Sequence, residues 1–194
     1  SINDAPQISK FLVLEVGMDK KGEIDYLTKI IKPDLGIITN ISYAHSKNFK
    51  SIKHIAKAKA EIMNNIKKNG IIVLNKDDNF YEYHKNFALK KKLRVISFGI
   101  KNKYSITKLV KIKKIKSKYE LFINVDGKYV SFYSKNTNNS NTYNILATLA
   151  AISLYIDVNN LKKDIFLDIG SPNGRGNILK VKFKNKKIFL VDES

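Results

Sequence analysis

The sequence contains no cysteine, which excludes disulfide bonds and thiolate metal sites and suits a cytoplasmic location. It has no run of about 18 apolar residues, so we expect no membrane-spanning helix and no membrane partner. Its first ten residues lack the charged-then-apolar order of a secretion signal. A GxxxxGK[ST] phosphate loop is also missing, and no glycine-rich loop precedes the first predicted strand. Any metal site must therefore use oxygen and imidazole ligands.

The 194 residues are 43% hydrophobic, which is enough for a globular domain with a real core. The net charge of +19 on its own suggests binding to nucleic acid or another anionic surface. Nearly all of the excess is lysine, however, and the densest run, residues 108–118, mixes lysines with apolar residues. That mixture is typical of an antiparallel strand with one solvent-facing side. Nucleic-acid binding is therefore kept as an alternative and not as the main interpretation.

The first half of the sequence alternates apolar strand-like runs with helical segments. This alternation predicts βαβ units, and so an α/β fold with a mostly parallel central sheet flanked by helices. A continuous apolar run is typical of a central strand, and that is the prediction for residues 10–16. The predicted strands are 10–16, 34–40, 71–74 and 94–98, and the predicted helices are 22–31, 51–68 and 78–91.

The pattern changes after about residue 100 to three runs with period-two alternation. They lie at 105–116, 119–125 and 128–134, and Asp126-Gly127 between the last two is a strong two-residue hairpin signal. We therefore predict a small antiparallel sheet attached to the parallel one. A polar loop, a helix at 141–156, a turn-rich loop at 171–177 and a closing pair of strands at 178–184 and 187–191 complete the prediction.

The predicted helix 51–68 has a lysine on its apolar face. Its apolar stripe consists of Ile52, Ile55, Ala56, Ile62, Met63 and Ile66. Lys59 falls in the middle of that stripe, whereas Lys57 points the opposite way, in the direction of His54 and Glu61. A lysine on an apolar face is costly unless something compensates its charge. Lys59 either extends past its neighbours to water or a carboxylate, or it is held inside a site.

Several polar groups follow the predicted strand ends, where open α/β sheets bind ligands. Glu15 and His45 form a plausible oxygen and imidazole set for Mg²⁺ or Mn²⁺. Each residue also has a structural explanation: His45 could be a loop histidine, and helix N-caps could account for Asp77-Asp78 and Asn141. The polar groups are Glu15, Asn40 with His45, Asn75 with Asp77 and Asp78, and Asp192 with Glu193.

Taken together, these motifs resemble the central domain of the Mur ligases, in the family's order and over almost the whole chain. The resemblance implies a P-loop NTPase-like fold, and residues 1–194 would be part of that domain. Within it, 10–100 would be the parallel part, 103–135 the small antiparallel sheet and 141–194 a helix with closing strands. The motifs are Leu-Glu-Val-Gly-Met-Asp at 14–19, Gly-Glu-Ile at 22–24, Thr-Asn-Ile at 39–41 with Ala-His at 44–45, Ala-Lys-Ala-Lys-Ala-Glu-Ile at 56–62, Asn-Lys-Asp-Asp at 75–78, Gly-Arg-Gly at 174–176 and Asp-Glu-Ser at 192–194.

The resemblance implies an ATP- and Mg²⁺-dependent amide ligation that joins D-alanyl-D-alanine to UDP-N-acetylmuramoyl-tripeptide in peptidoglycan precursor synthesis. The catalytic and metal-binding residues would be Glu15, His45 and Lys59, with Lys59 matching the family lysine that CO₂ carbamylates. Carbamylation would turn a buried cation into an anion whose oxygens suit Mg²⁺. This accounts for a lysine on the apolar stripe.

The same resemblance assigns residues to the nucleotide. Asn141 and Asn144 match the Asn-x-x-Asn helix start that meets the adenine, and Arg175 with Asp192 or Glu193 would lie near the ribose and phosphates. The family usually has histidine just before the first of these asparagines, and this sequence has serine, which would weaken or reshape the adenine contacts.

The resemblance also implies what the chain would lack on its own. We expect a monomeric fragment without the phosphate loop, the N-terminal UDP-sugar domain or the C-terminal domain that closes the site, and thus without activity by itself. The alternatives are a folylpolyglutamate synthase-like ligase, a lysine-rich nucleic-acid-binding α/β module and an inactive remnant. The Gly-Glu-Ile block and the Asp-Glu-Ser ending argue against the first of these.

We predict that this chain binds ATP·Mg²⁺ weakly at most, because the main cradle for the β- and γ-phosphates is missing. Isothermal titration of the chain with ATP·Mg²⁺ measures this directly. A dissociation constant of about 1 µM or tighter would contradict the prediction.

Overall fold

The structure is a computed structural model that describes residues 9–42 and 49–168, together with the strands 177–183 and 186–192. The chain divides into two compact units, residues 1–97 and 98–194. The division falls inside a strand, Arg94–Gly99. Each unit is described by itself.

The first unit is built from alternating helices and strands. Strands β1 and β2 pair in parallel, from Leu35 opposite Ile71 to Ile38 opposite Leu74. The connection between them runs through α2, as predicted for a βαβ unit. The elements are α1 (Glu23–Ile31), β1 (Leu35–Ile38), α2 (Ile52–Ala60), β2 (Ile71–Asn75), α3 (Tyr81–Lys90) and the beginning of β3 (Arg94–Gly99).

The core of this unit lies between the β-strands and α2. Ile72, Val73 and Leu74 of β2 are fully buried, and such a continuous apolar strand suits a sheet covered on both faces. The predicted apolar stripe is confirmed: Ile55 and Ala56 of α2 and Met63 and Ile66 beyond its end are buried, and Ile52 and Ile62 pack against them.

The second unit begins with the end of β3, which pairs in parallel with the start of β4. Strands β4, β5 and β6 then form an antiparallel meander. Asp126 and Gly127 join β5 to β6 with φ values of 48° and 85°, so the predicted two-residue hairpin is confirmed. The elements are β4 (Thr107–Ile115), β5 (Lys118–Val125), β6 (Lys128–Ser134), α4 (Asn139–Ile152), a 3₁₀ turn (Val158–Asn160), and β7 (Asn177–Phe183) with β8 (Lys186–Asp192) as an antiparallel pair.

Strands β1 to β6 belong to one sheet in the order β1-β2-β3-β4-β5-β6. Pairing is parallel for β1 with β2 and for β3 with β4, and antiparallel where hairpins connect the strands. The predicted fold class, a mostly parallel α/β sheet with an antiparallel extension, is confirmed. In the described part of the chain, no helix combines the length and the apolar character needed to cross a bilayer.

Two predicted elements are wrong. Residues 10–16 are not a strand: Phe11 is 59% exposed and Val13 is 91% exposed. An apolar run favours a buried strand, but a strand exists only when a neighbour pairs with it, and the run itself carries no information about that neighbour. The helix predicted to extend to residue 68 ends as an α-helix at Ala60 and continues as a 3₁₀ turn, Glu61–Asn64.

The tight turn before β2 yields a stability prediction for Gly70. A Cβ at this position would meet the Ile66 side chain and would lie 2.8 Å from the backbone oxygens of Asp34 and Lys67. We expect Gly70→Ala to lower the free energy of unfolding by about 1–3 kcal/mol, since backbone atoms cannot move aside cheaply. Urea unfolding measures the difference. The control is Gly17→Ala, whose Cβ would meet nothing within 4 Å. Equal effects of the two variants would contradict the prediction.

Candidate active site around Lys59

Lys59 is half-buried near the end of α2, and its amine points to the chain that follows β1. The Nζ atom donates a hydrogen bond to the backbone oxygen of Asn40 at 2.8 Å. Asn40 lies two residues beyond the last residue of β1, at the carboxyl end of a parallel strand. The structure thus places the Lys59 amine at the edge where open α/β sheets bind ligands.

The environment of Lys59 changes its acid–base behaviour. Burial lowers the pKa of the Lys59 amine below its ordinary value, and the negative charge of Asp78 partly opposes this. The amine therefore gives up its proton more readily than an exposed lysine. A neutral amine is the form that can react as a nucleophile.

Asp78 holds two segments of this edge together. Its Oδ2 atom accepts a hydrogen bond from the backbone N–H of Ile41 at 2.9 Å, and its Oδ1 atom accepts one from Phe80 at 2.8 Å. The N-cap position of α3 is Phe80, so the alternative that Asp78 is the N-cap is wrong. Asp78 instead fixes the turn before α3 and the chain after β1.

Asn75 at the end of β2 braces the same edge. Its side-chain nitrogen donates to the backbone oxygen of Thr39 at 3.1 Å, and its side-chain oxygen accepts from the N–H of Asp77 at 3.0 Å. Two polar side chains that follow β2 thus reach back to the segment that follows β1. The edge near Lys59 is held by hydrogen bonds and not by apolar packing alone.

A small open cavity of about 170 Å³ lies at this edge. It is lined by Asn40, Ile41, Ile52, Asp77, Asp78, Asn79 and Phe80. Carboxylate and amide oxygens among these residues are the donors that Mg²⁺ prefers. The donor chemistry therefore fits a magnesium ion, although the described residues contain no group of three or more histidine or acidic side chains placed to hold a metal.

His84 is a buried residue of this region that the sequence analysis missed. Its side chain on α3 is only 2% exposed, and its Nε2 atom lies 3.0 Å from the backbone oxygen of Ala56, to which it donates as the Nε2–H tautomer. Burial lowers the pKa of His84, so the ring is held neutral. Spacing could have found it, because Tyr81, His84 and Ala88 form the buried stripe of α3.

The predicted direction of Glu61 is wrong. Lys57 and His54 are exposed as expected, but Glu61 is only 9% exposed, because its carboxylate is packed against the start of α1 and accepts hydrogen bonds from the N–H groups of Gly22 and Asp25. The side chains of Asn64 and Asn65 hydrogen-bond to Asp25, so the turn after α2 is attached to α1 at this point.

The structure tests the other predicted metal-site residues only in part. Glu15 is exposed, in the segment before α1. His45 lies outside the described residues, so the predicted Glu15 and His45 set stays a prediction.

The predicted nucleotide residues belong to the second unit. Asn141 is half-buried, and its side-chain nitrogen donates to Ser134 Oγ at 3.0 Å and to the Asn136 backbone oxygen at 3.3 Å. The alternative that Asn141 caps its helix is wrong, because Asn138 is the N-cap and accepts from the Asn141 N–H. Asn144, one turn further on, is exposed.

Three further predicted nucleotide residues cannot be compared with the structure. Arg175 and Glu193 lie outside the described residues, and so does the side chain of Asp192. The backbone of Asp192 ends β8, opposite Asn177.

The sheet defines an α/β protein whose polar side chains gather at the carboxyl edge, where open α/β sheets bind ligands. The Mur ligase middle domain matches residues 1–152, and the chain belongs to the Mur ligase family. It is 32% identical over 186 residues to the UDP-N-acetylmuramoyl-tripeptide–D-alanyl-D-alanine ligase of Rickettsia prowazekii, covering 89% of this chain and 38% of that protein.

Two solved structures share the fold. MurF from Acinetobacter baumannii aligns with a TM-score of 0.74 at 21% identity, over 92% of this chain and 37% of that one. MurF from Thermotoga maritima, solved in complex with ADP, aligns with a TM-score of 0.68 at 20% identity, over 93% and 40% of the two chains. The chain thus spans about two fifths of the length of these proteins.

The buried His84 yields a prediction about pH. Its folded-state pKa lies below the unfolded value of about 6.5, so the unfolded state binds the extra proton first as the pH falls. We expect the contribution of His84 to stability to be complete above about pH 6.5 and to decline below it. Chemical unfolding at a series of pH values measures this.

The matched variants for that prediction are His84→Gln and His54→Gln. His84→Gln removes the titrating ring, so stability should fall less steeply with acid than in the wild type. His54 is exposed, so His54→Gln is the control for replacing a histidine outside the core. If the stability of the wild type and that of His84→Gln fall equally steeply with decreasing pH, the pH dependence does not come from His84.

Proposed function

We propose that this chain is part of an ATP-dependent amide ligase that adds D-alanyl-D-alanine to UDP-N-acetylmuramoyl-tripeptide in peptidoglycan precursor synthesis. The observation that carries the proposal is the Lys59 amine, half-buried at the carboxyl end of β1 with a lowered pKa, in a chain of the Mur ligase family. The Rickettsia prowazekii relative, a UDP-N-acetylmuramoyl-tripeptide–D-alanyl-D-alanine ligase, supports the choice of substrates.

The proposed reaction has two steps. The terminal carboxylate of the tripeptide attacks the γ-phosphorus of ATP, which gives an acyl phosphate and releases ADP. The amine of D-alanyl-D-alanine then attacks the acyl carbon, and the tetrahedral intermediate expels inorganic phosphate as the amine loses a proton and the amide forms. Such reactions depend mainly on positioning and on charge stabilisation.

Lys59 acts in this proposal as a carbamate. Its neutral amine adds to CO₂ and releases one proton, and the product carries a negative charge and two oxygen donors. The lowered pKa supports this role, because it raises the neutral fraction of the amine. The carbamate, Glu15 and His45 would hold Mg²⁺, which offsets the repulsion between the γ-phosphate and the substrate carboxylate.

The nucleotide would contact the second unit. Asn141 and Asn144 would meet the adenine, and Arg175 with Asp192 or Glu193 would lie near the ribose and phosphates. The two hydrogen bonds that fix the Asn141 amide support its part of this assignment, since a fixed side chain loses less freedom on binding.

The remaining parts of the proposal concern extent and alternatives. Residues 1–194 would be part of the central domain, and the rest of the enzyme would supply the UDP-sugar and amine sites. The family match favours an amide ligase over a nucleic-acid-binding module, and the name of the relative favours D-alanyl-D-alanine addition over a folylpolyglutamate synthase.

The test uses the full-length protein, obtained by extending the reading frame. We expect phosphate release from ATP that needs both UDP-N-acetylmuramoyl-tripeptide and D-alanyl-D-alanine. Lys59→Ala should lower the rate about 100-fold or more, because it removes an anionic metal ligand. A small carboxylic acid should partly restore the rate of that variant by replacing the missing carboxylate.

Lys57→Ala is the matched control, since Lys57 lies on the same helix but is exposed. Its rate should equal that of the wild type. The proposal is wrong if phosphate release does not depend on D-alanyl-D-alanine, or if Lys59→Ala and the wild type release phosphate at equal rates. Either result would point to a remnant or a different ligase.

A further inference from the structure

Glu61 makes an unusual set of contacts for a carboxylate two residues from Lys59. Its Oε1 atom accepts from the backbone N–H of Gly22 at 3.0 Å, and its Oε2 atom lies 2.9 Å from the same nitrogen. Oε2 also accepts from the N–H of Asp25 at 3.4 Å. The carboxylate is buried against the start of α1.

These contacts supply a hydrogen-bond acceptor at the N-terminus of α1, where the helix has no side-chain cap. Gly22 occupies the N-cap position with a φ of 95°, and no side-chain hydrogen bond caps the helix there. The first N–H groups of a helix have no acceptor within it, and this end carries partial positive charge. Glu61 provides the missing acceptor and the compensating negative charge from a different element.

Two neighbouring side chains join the same elements at other atoms. Asn64 donates to the Asp25 carboxylate at 2.9 Å, and Asn65 donates to that carboxylate at 3.1 Å and to Thr28 Oγ1 at 3.0 Å. The body of α1 is therefore attached without Glu61. What Glu61 alone contributes, within this set, is the attachment of the turn at Gly22.

That turn is the end of the segment that carries Glu15. Residues 9–22 form neither a helix nor a strand; Val16 and Met18 pack on the core of the first unit, and Glu61 holds the end of the segment at Gly22. We propose that Glu61 is a positioning residue of the Lys59 site: by holding Gly22, it fixes the Glu15 segment relative to the end of α2. The functional part of this inference rests on the proposed ligase function, whereas the structural part does not.

The test measures a distance within the chain itself. Because the chain has no cysteine, cysteines introduced at Lys20 and Lys57, both exposed, are unique sites for spin labels. Pulsed electron paramagnetic resonance then reports the spread of distances between the labels. We expect Glu61→Gln to widen that spread about twofold, because the amide loses the negative charge and turns one of the two acceptors into an NH₂ donor that faces the N–H groups of Gly22 and Asp25.

The matched control is Asn65→Ala, which removes hydrogen bonds between the same two elements but none to Gly22. Its distance spread should equal that of the unmodified chain. A narrow spread in Glu61→Gln, or an equal widening in both variants, would overturn the inference. If Glu61→Gln does not fold, Glu61→Asp, which withdraws the carboxylate by one methylene, is judged by the same criteria.

The full-length enzyme supplies a second readout. Glu61→Gln should raise the Mg²⁺ concentration needed for half-maximal phosphate release about tenfold, the scale of residues that orient metal ligands, and Asn65→Ala should not. An unchanged Mg²⁺ requirement would overturn the positioning role. If the wild type releases no phosphate, the ligase proposal fails, and the label distances still decide whether Glu61 holds the Gly22 turn.

Discussion

The hydrogen bond between the Lys59 amine and the Asn40 carbonyl is the contact on which the candidate site depends. It connects the end of α2 to the chain just past β1. A lysine on an apolar stripe costs free energy unless its charge is compensated, and one carbonyl with a more distant Asp78 compensates it only in part. Burial accordingly lowers the pKa of the amine. A titratable group shifted in this way at the carboxyl edge of a sheet is a candidate for chemistry.

The surroundings of Lys59 are built to keep this arrangement in place. Asn75 and Asp78 bind the segment after β1 from the segment after β2, and His84 binds the Ala56 carbonyl from α3. Each of these contacts joins elements that are distant in sequence. Preorganised groups of this kind lose little free energy in reorganisation when a charged ligand arrives.

Much of the fold could be predicted because its signals are local. The stripe of α2 and the Asp126-Gly127 hairpin depend on residues a few positions apart, and the sequence shows such periods directly. The strand predicted at residues 10–16 failed because pairing is not local. The prediction for Glu61 failed for a related reason, since its side chain is buried by contacts with the start of α1, which is distant in sequence.

The candidate site could also be predicted only in part. Lys59 could be found because a charge on an apolar stripe is visible in the sequence, and Asn40 because it follows a strand. Asp78 and His84 form hydrogen bonds with backbone atoms of Ile41, Phe80 and Ala56. Every residue type has such backbone atoms. The sequence therefore does not indicate which backbone atom a side chain will bind, and these contacts became visible only in the structure.

The link from Glu61 to Gly22 has an evolutionary consequence. One residue separates Glu61 from Lys59, so an insertion or deletion between them would move the carboxylate away from the start of α1. A replacement of Gly22 would also strain a backbone that lies in the left-handed region. The spacing of Lys59 and Glu61 and the backbone conformation at Gly22 are therefore both constrained at this junction, the first by the reach of the carboxylate and the second by the turn.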